Sequence, residues 1–241
     1  MTAPRPVALV TGAGQRVGRA IAVHLAGAGY DVAVHFHRSE GGARETAAKC
    51  RARGVRAVWF GADLAEPGAP DMLVERTVAS LGRVDALVNS AAIMLRTPLE
   101  TLTPAQWDHI FAVNLRAPFF LSLAVARVMR DGGAIVNIGD HLASESWGEL
   151  VPHGVSKAGV AAVTMHLAKQ LAPRVRVNAV APGAVLAPTD WPADARERFT
   201  EDTLLRRLGT PEDVAGAVAY LLGAPYVTGH VLVVDGGRQI R

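Results

Sequence analysis

Residues Val7 to Gly18 read VALVTGAGQRVG, an apolar run followed by three closely spaced glycines and then a helical pattern opening at Val17. Residues of those types at that spacing can bind an anion. Gly12, Gly14 and Gly18 allow a sharp turn and a close backbone approach, and the free N–H groups of a helix's first turn face whatever negative charge lies beyond them. A buried strand entering a tight glycine turn and then a helix is how an α/β protein holds the pyrophosphate of a dinucleotide. Both flanks fit: VALV reads as a fully buried strand, and Arg19 to Ala28 as a helix with one apolar face.

The elements that must position this loop are legible along the whole chain of 241 residues. Apolar runs at Val7–Val10, Asp31–Phe36, Val55–Phe60, Val84–Asn89, Ala134–Ile138, Val175–Val180 and His230–Val234 alternate with helical patterns at Val17–Ala28, Gly41–Arg53, Ala69–Leu81, Pro104–Arg130, Gly154–Leu171 and Pro211–Leu222. Strands separated by helices of this length imply right-handed crossovers. The expectation is a single α/β domain spanning 1–241, a doubly wound parallel sheet of about seven strands with helices on both faces. The segment 186–205, with its prolines and Trp191, breaks the alternation and reads as a lid over a site.

Composition narrows the function classes. Half the residues are hydrophobic and only 5% aromatic, which suits a parallel sheet packed by aliphatic side chains. The single cysteine, Cys50, excludes an intrachain disulfide and any multi-cysteine metal site, so the cytoplasm is the expected compartment. A formal net charge of +3 spread over scattered basic residues gives no reason to expect nucleic acid as a partner. No uninterrupted apolar stretch approaches the roughly 20 residues of a membrane span, and MTAPRP has no apolar signal segment, so no membrane partner is expected.

Thr11-Gly12 and Gly18 in the loop, Asp63-Leu64 after the third strand and Asn89-Ser90-Ala91-Ala92 after the fourth form an ordered series. It continues with Asn114, Ser156-Lys157-Ala158, Pro182-Gly183 and Val234-Asp235-Gly236-Gly237. In this order and spacing the chain resembles the short-chain dehydrogenase/reductase family over nearly its whole length. The resemblance implies a nicotinamide cofactor held by Thr11, Gly12, Gly14, Arg16, Val17, Gly18, Asp63, Leu64, Asn89, Ser90, Ala91, Lys157, Pro182 and Gly183. It also implies a homo-oligomer, commonly a tetramer, packed through the long helices after the fourth and fifth strands.

Two local features are similar to the pteridine reductase branch: Arg16 where the family loop commonly has a glycine, and the strand ending His37-Arg38-Ser39. A cofactor without the 2′-phosphate is usually met by an acid at that strand end. Here the first acid is Glu40, while Arg16, His37, Arg38 and Ser39 supply cations and donors suited to a phosphate, so NADP(H) is expected.

The family carries Ser, Tyr and Lys in fixed spacing. Lys157 is present, but the tyrosine position is His153 and the serine position is Asp140. Pteridine reductases also have aspartate there; His153 departs from that branch as well. The expected constellation is Asp140, His153 and Lys157 beside Asn114. Lys157, one helical turn from His153, disfavours an imidazolium, whereas an ionised Asp140 favours one. Imidazole is shorter than phenol, which makes Asp140 the better direct proton donor or grip for a substrate N–H. Trp147, Leu150, Leu186 and Trp191 are expected to shape the substrate pocket. The leading expectation is an NADPH-dependent reductase of a pterin-like or other conjugated C=N or C=O small molecule. The missing tyrosine leaves two alternatives: an NADP-binding regulator or scaffold without hydride transfer, and proton chemistry without net redox.

Overall fold

A computed structural model describes residues 4–130, 132–143, 148–186 and 193–241. Strands β1 (Val7–Val10), β2 (Asp31–Phe36), β3 (Ala57–Gly61), β4 (Ala86–Asn89), β5 (Gly133–Ile138), β6 (Val175–Pro182) and β7 (Val231–Val234) form one sheet in the order β3-β2-β1-β4-β5-β6-β7. Every neighbouring pair is parallel. This is the doubly wound α/β architecture expected from the alternation of strand and helix patterns.

Helices α1 (Arg16–Gly27), α2 (Glu40–Arg51) and α8 (Pro211–Gly223) cover one face, and α3 (Ala69–Leu81), α5 (Ala117–Val128) and α6 (Val151–Leu171) the other. The sheet interior is fully buried on both faces, so β1, β2 and β4 need continuous Val, Ala and Leu runs rather than alternating ones. Two apolar clusters result. One joins Ile21, Leu25, Val34 and Leu221, and the other joins Leu9, Leu73, Leu87, Leu121 and Ile135.

Helix ends follow local chemistry. Gly29 and Gly54 take positive φ (+90° and +80°) just past α1 and α2, and Pro104 and Pro211 open helices behind the capping boxes of Thr103 and Thr210. Several boundaries differ from the sequence expectation by one to three residues. β3 begins at Ala57 and not Val55, β4 at Ala86 and not Val84, and α6 at Val151, which places His153 inside the first helical turn. One difference is larger. The pattern expected as one helix over Pro104–Arg130 divides into α4 (Pro104–Phe111), a π-helical turn at Ala112–Arg116 and α5, which stops at Val128. The cause is Pro118: it has no N–H to offer the Asn114 carbonyl, so the chain widens by one residue and Ala117 donates to Ala112 instead. This 25-residue assembly is long and apolar enough to cross a membrane by length and composition, but 61% of its most apolar window is buried within the protein.

After β6 the chain leaves the sheet and returns through α7 (Ala193–Glu201). The carboxyl-terminal tail packs against that segment: Arg238 lies 4.6 Å above the Phe199 ring and Arg241 forms a 2.7 Å ion pair with Asp202. Of the lid expected over 186–205, residues 187–192 lie outside the described chain.

Candidate active site

Crossovers run in opposite directions from β1 and β4, so the loops leaving these adjacent strands part and open a cleft of about 620 Å³ at their carboxyl ends. Its walls come from the turns after β1, β2, β3 and β4, including Gly12, Gly14, Arg16, Val17, Gly18, His37, Arg38, Ser39, Asp63, Leu64, Ser90 and Ala91. Gly12 has φ +63°, and a Cβ there would stand 2.8 Å from the Ala91 Cα, so the β1 and β4 turns can meet this closely only through glycine. α1 starts beyond it without a side-chain cap and without an acid in its first turn, leaving its N–H groups for an anion in the cleft.

Arg16 stands in this turn with φ +52°, a left-handed conformation that costs a non-glycine residue about 1 kcal/mol. Its exposed guanidinium shares the rim with the exposed His37 and Arg38 and the half-buried Ser39. The first acid beyond β2, Glu40, pairs with Arg44 at 3.0 Å along α2. His37 Nε2 lies 3.6 Å from Asp63 Oδ2, while Asp63 Oδ1 accepts from the Ala65 amide at 2.9 Å.

His35, an imidazole inside the otherwise apolar β2, fixes the loop from behind. Its Nδ1 accepts from the Gly12 amide at 3.2 Å and its Nε2 donates to the Ala62 carbonyl at 3.1 Å, an arrangement only the neutral ring satisfies. Burial agrees with that tautomer by holding the imidazole pKa down to about 4. Thr11 and Asn89 are also buried behind the cleft. The Thr11 hydroxyl accepts from the amides of Ser90 and Ala91, both at 3.0 Å, and so pins the β4 turn to β1. Asn89 Nδ2 donates to Asn137 Oδ1 at 2.8 Å, and Asn137 Nδ2 donates to Thr164 Oγ1 at 2.9 Å, a polar ladder across β4, β5 and α6. Pro182 and Gly183, at the end of β6, are not among the residues lining this cleft; Gly183 packs against the turn after β7, where a Cβ on it would meet the Asp235 Cα at 2.8 Å.

Ile93 joins the cleft to a second cluster. The Asn114 side chain, on the π-helical turn, grips the Ile93 peptide from both sides: Oδ1 accepts its N–H at 2.8 Å and Nδ2 donates to its C=O at 2.9 Å. The second Nδ2 proton goes to Ser156 Oγ at 3.1 Å, and Ser156 passes its own proton to the His153 carbonyl at 2.6 Å. His153 Nδ1 lies 3.1 Å from the Ile93 carbonyl and 3.4 Å from Asn114 Nδ2, so it donates to the one or accepts from the other according to the tautomer. On the other edge of the ring, His153 Nε2 stands 3.2 Å from Asp140 Oδ2. With Nδ1 donating to Ile93, the Nε2–Oδ2 contact holds one proton, as imidazolium with carboxylate or as imidazole with carboxylic acid; with Nδ1 accepting from Asn114, the neutral ring donates Nε2–H to the carboxylate. In each case a proton lies between His153 Nε2 and Asp140 Oδ2.

His153 is 3% exposed and Asp140 22%, so the carboxyl is the more accessible member. Lys157 is buried one turn along α6 and donates to the Ile138 carbonyl at 2.8 Å. Burial lowers its ammonium pKa to about 8, against the attraction of Asp140, so it is charged at neutral pH and close to losing that charge.

The fold thus brings together Asp140, His153, Lys157 and Asn114 from three separate stretches of sequence, His153 and Lys157 sharing α6. Of the four expected pocket residues, Leu150 is buried at the entry to α6 and Leu186 is half-buried after β6, whereas Trp147 and Trp191 lie outside the described residues. Sequence reasoning missed His35, the Ile93 carbonyl and His141. His141 reads as a packing or surface residue in sequence, yet its Nδ1 lies 3.0 Å from Asp140 Oδ1. The available signals were a lone histidine in an apolar strand and a second histidine adjoining the strand-end aspartate.

Comparison with known proteins agrees with this geometry. The family described as enoyl-(acyl carrier protein) reductase matches residues 12–239. A ketoacyl reductase of the granaticin polyketide synthase from Streptomyces violaceoruber is 38% identical, over 98% of this chain and 96% of its own. Among solved structures, a blue fluorescent protein from a metagenomic library in complex with NADPH superposes with TM-score 0.91 at 35% identity, covering 97% of both chains. A short chain dehydrogenase from Burkholderia cenocepacia J2315 in complex with NADP superposes with TM-score 0.91 at 36% identity, covering 97% of both chains.

The neutral His35 has a consequence for stability. Its ordinary pKa is about 6.5, so between that value and about 4 the unfolded chain binds the extra proton and the folded chain does not. Its contribution is complete above about pH 6.5 and falls as acid is added, by about 3 kcal/mol at pH 4 and below. Urea unfolding of the wild type and His35→Gln across this range checks it: the variant should show a flatter dependence on pH, and equal slopes would refute the assignment.

Proposed function

The chain belongs to the short-chain dehydrogenase/reductase family, and from that membership we propose that it is an NADPH-dependent reductase of a small-molecule carbonyl, a ketone before any other substrate. The proton-sharing Asp140–His153 contact, joined to the cleft through the Ile93 carbonyl, carries the proposal. The NADPH and NADP complexes of the two structural relatives support NADP(H) as the cofactor.

The residues fit that cofactor. The close approach at Gly12 and the uncapped α1 terminus suit a pyrophosphate, while Arg16, His37, Arg38 and Ser39 suit a 2′-phosphate. Asp63, Leu64, Ser90 and Ala91 complete the walls; by family likeness, Lys157, Pro182 and Gly183 are read as cofactor-binding as well. Bound there, NADPH supplies the hydride that converts a carbonyl carbon into an alcohol carbon.

The chain's own groups manage the proton. The developing alkoxide takes it from Asp140, the accessible member of the pair, and His153 makes up the loss from behind. The pair is left with one negative charge, which the Lys157 ammonium opposes. Asn114 acts through Ile93 and Ser156, holding the carbonyl that orients the His153 ring.

The name of the granaticin relative favours a ketone. A pterin or another conjugated C=N is the second reading, favoured by Asp140, whose carboxyl can also grip a ring N–H. The enzyme is read as cytoplasmic, with segment 186–205 as its substrate lid. Exposed apolar residues on α5 (Phe120, Val128) and α6 (Val155, Met165) support a homo-oligomer, a tetramer by family likeness.

NADPH consumption over activated ketones, quinones and dihydropterins tests the reading directly. Asp140→Asn and His153→Gln should each lower kcat on the best substrate by about a hundredfold while leaving the NADPH Kd unchanged. Tight NADPH binding without turnover on any of these would return the choice to the non-redox or scaffold alternatives. Arg16→Gly should raise folding stability by about 1 kcal/mol, by removing the left-handed arginine, yet weaken NADPH about tenfold with NADH unaffected. Comparable loss for both cofactors in a binding titration would remove Arg16 from the 2′-phosphate site. Light scattering should report a homo-oligomer, and a clean monomer would refute the interface.

A further inference from the structure

Asp140 has imidazoles on both sides. Oδ2 meets His153 Nε2 at 3.2 Å, and Oδ1 meets His141 Nδ1 at 3.0 Å. The same His141 Nδ1 is 3.2 Å from the Pro182 carbonyl at the end of β6. Both of these neighbours are acceptors when Asp140 is ionised, so His141 Nδ1 carries a proton; its hydrogen bond goes to the Pro182 carbonyl, and Asp140 Oδ1 stands at ion-pair distance from the same nitrogen. The His141 side chain is 11% exposed and anchored to β6, a strand that neither Asp140 nor His153 belongs to. It therefore fixes the direction from which one carboxylate oxygen is approached and leaves the other oxygen turned toward His153.

We propose that His141 is a positioning residue for the proton donor: anchored to the Pro182 carbonyl, its Nδ1 edge stands 3.0 Å from Asp140 Oδ1 and keeps the shared proton on the Oδ2–His153 side. This rests on the reading of Asp140 and His153 as the pair that supplies the proton. A donor on a carboxylate favours the charged form. Its loss destabilises the deprotonated pair most, because there no proton on His153 offsets the carboxylate charge. Among the described residues, the ionisable groups facing Asp140 are His141 from its own turn and His153 and Lys157 from α6; β6 contributes only the Pro182 carbonyl. Removing His141 should therefore make the pair hold its proton more tightly and give it up less readily.

The experiment compares His141→Ala and His141→Asn in the full chain, using two readouts. The first is the NMR titration of the His153 ring in the protein alone. The second is kcat on the best carbonyl substrate under saturating NADPH. His141→Ala should move the His153 midpoint up by about one pH unit and lower kcat about tenfold, the scale of one hydrogen bond to a charged group. His141→Asn keeps an N–H donor at similar reach and should restore most of both; it also keeps the test readable if the alanine variant folds poorly. An unmoved midpoint in His141→Ala overturns the proposal, whether kcat is unchanged or falls, since a fall alone would mark only structural damage. A midpoint shift in a protein that reduces no carbonyl would support the positioning role and refute the reductase reading instead.

Discussion

The grip of Asn114 on the Ile93 peptide is the contact on which the rest of the site depends. Ile93 lines the cleft that includes the glycine turn, and its carbonyl lies 3.1 Å from His153 Nδ1. The backbone of one residue thus couples the cleft to the Asp140–His153 contact. Asn114 reaches it because Pro118 denies the helix an ordinary hydrogen bond and widens the turn carrying the asparagine. Helical backbone carries Asn114 and His153, whereas Ile93 and Asp140 sit in irregular loops held by these side-chain contacts.

Polar groups buried behind the cleft serve the same end. Thr11, His35, Asn89 and Asn137 lie in or beside strands that are otherwise apolar, and each spends its side chain on a neighbouring strand or turn. Burying such groups is unfavourable unless they find partners. Here they find partners across strand boundaries, which fixes the loops at the sheet's carboxyl edge relative to one another. The left-handed Arg16 is the converse case, a local strain held at the rim where a cation can face a phosphate.

Much of this was legible in the residues. The strand and helix alternation, the glycine turn and the motif order specify the doubly wound sheet and its cleft, because fully buried parallel strands require continuous aliphatic runs and leave few alternatives. The spacing of Asp140, His153 and Lys157 also placed those three side chains together. Two things were hidden. The division of the helix after β4 depends on one missing N–H, which an apolar pattern does not register. The partners of His35 and His141 come from Ala62 and Pro182, 27 and 41 residues away, separations that no local pattern encodes.

Sequence alone therefore determined the fold class, the family likeness and the identities of the groups able to bind phosphate and hold a proton. These follow from local periodicity, turn chemistry and residue type. Tertiary structure decided the hydrogen-bond partners of the site. Where a hydrogen resides depends on which acceptors surround each ring nitrogen, and those acceptors, the carbonyls of Ile93 and Pro182 and both oxygens of Asp140, converge only once β4, β5, β6 and α6 are packed.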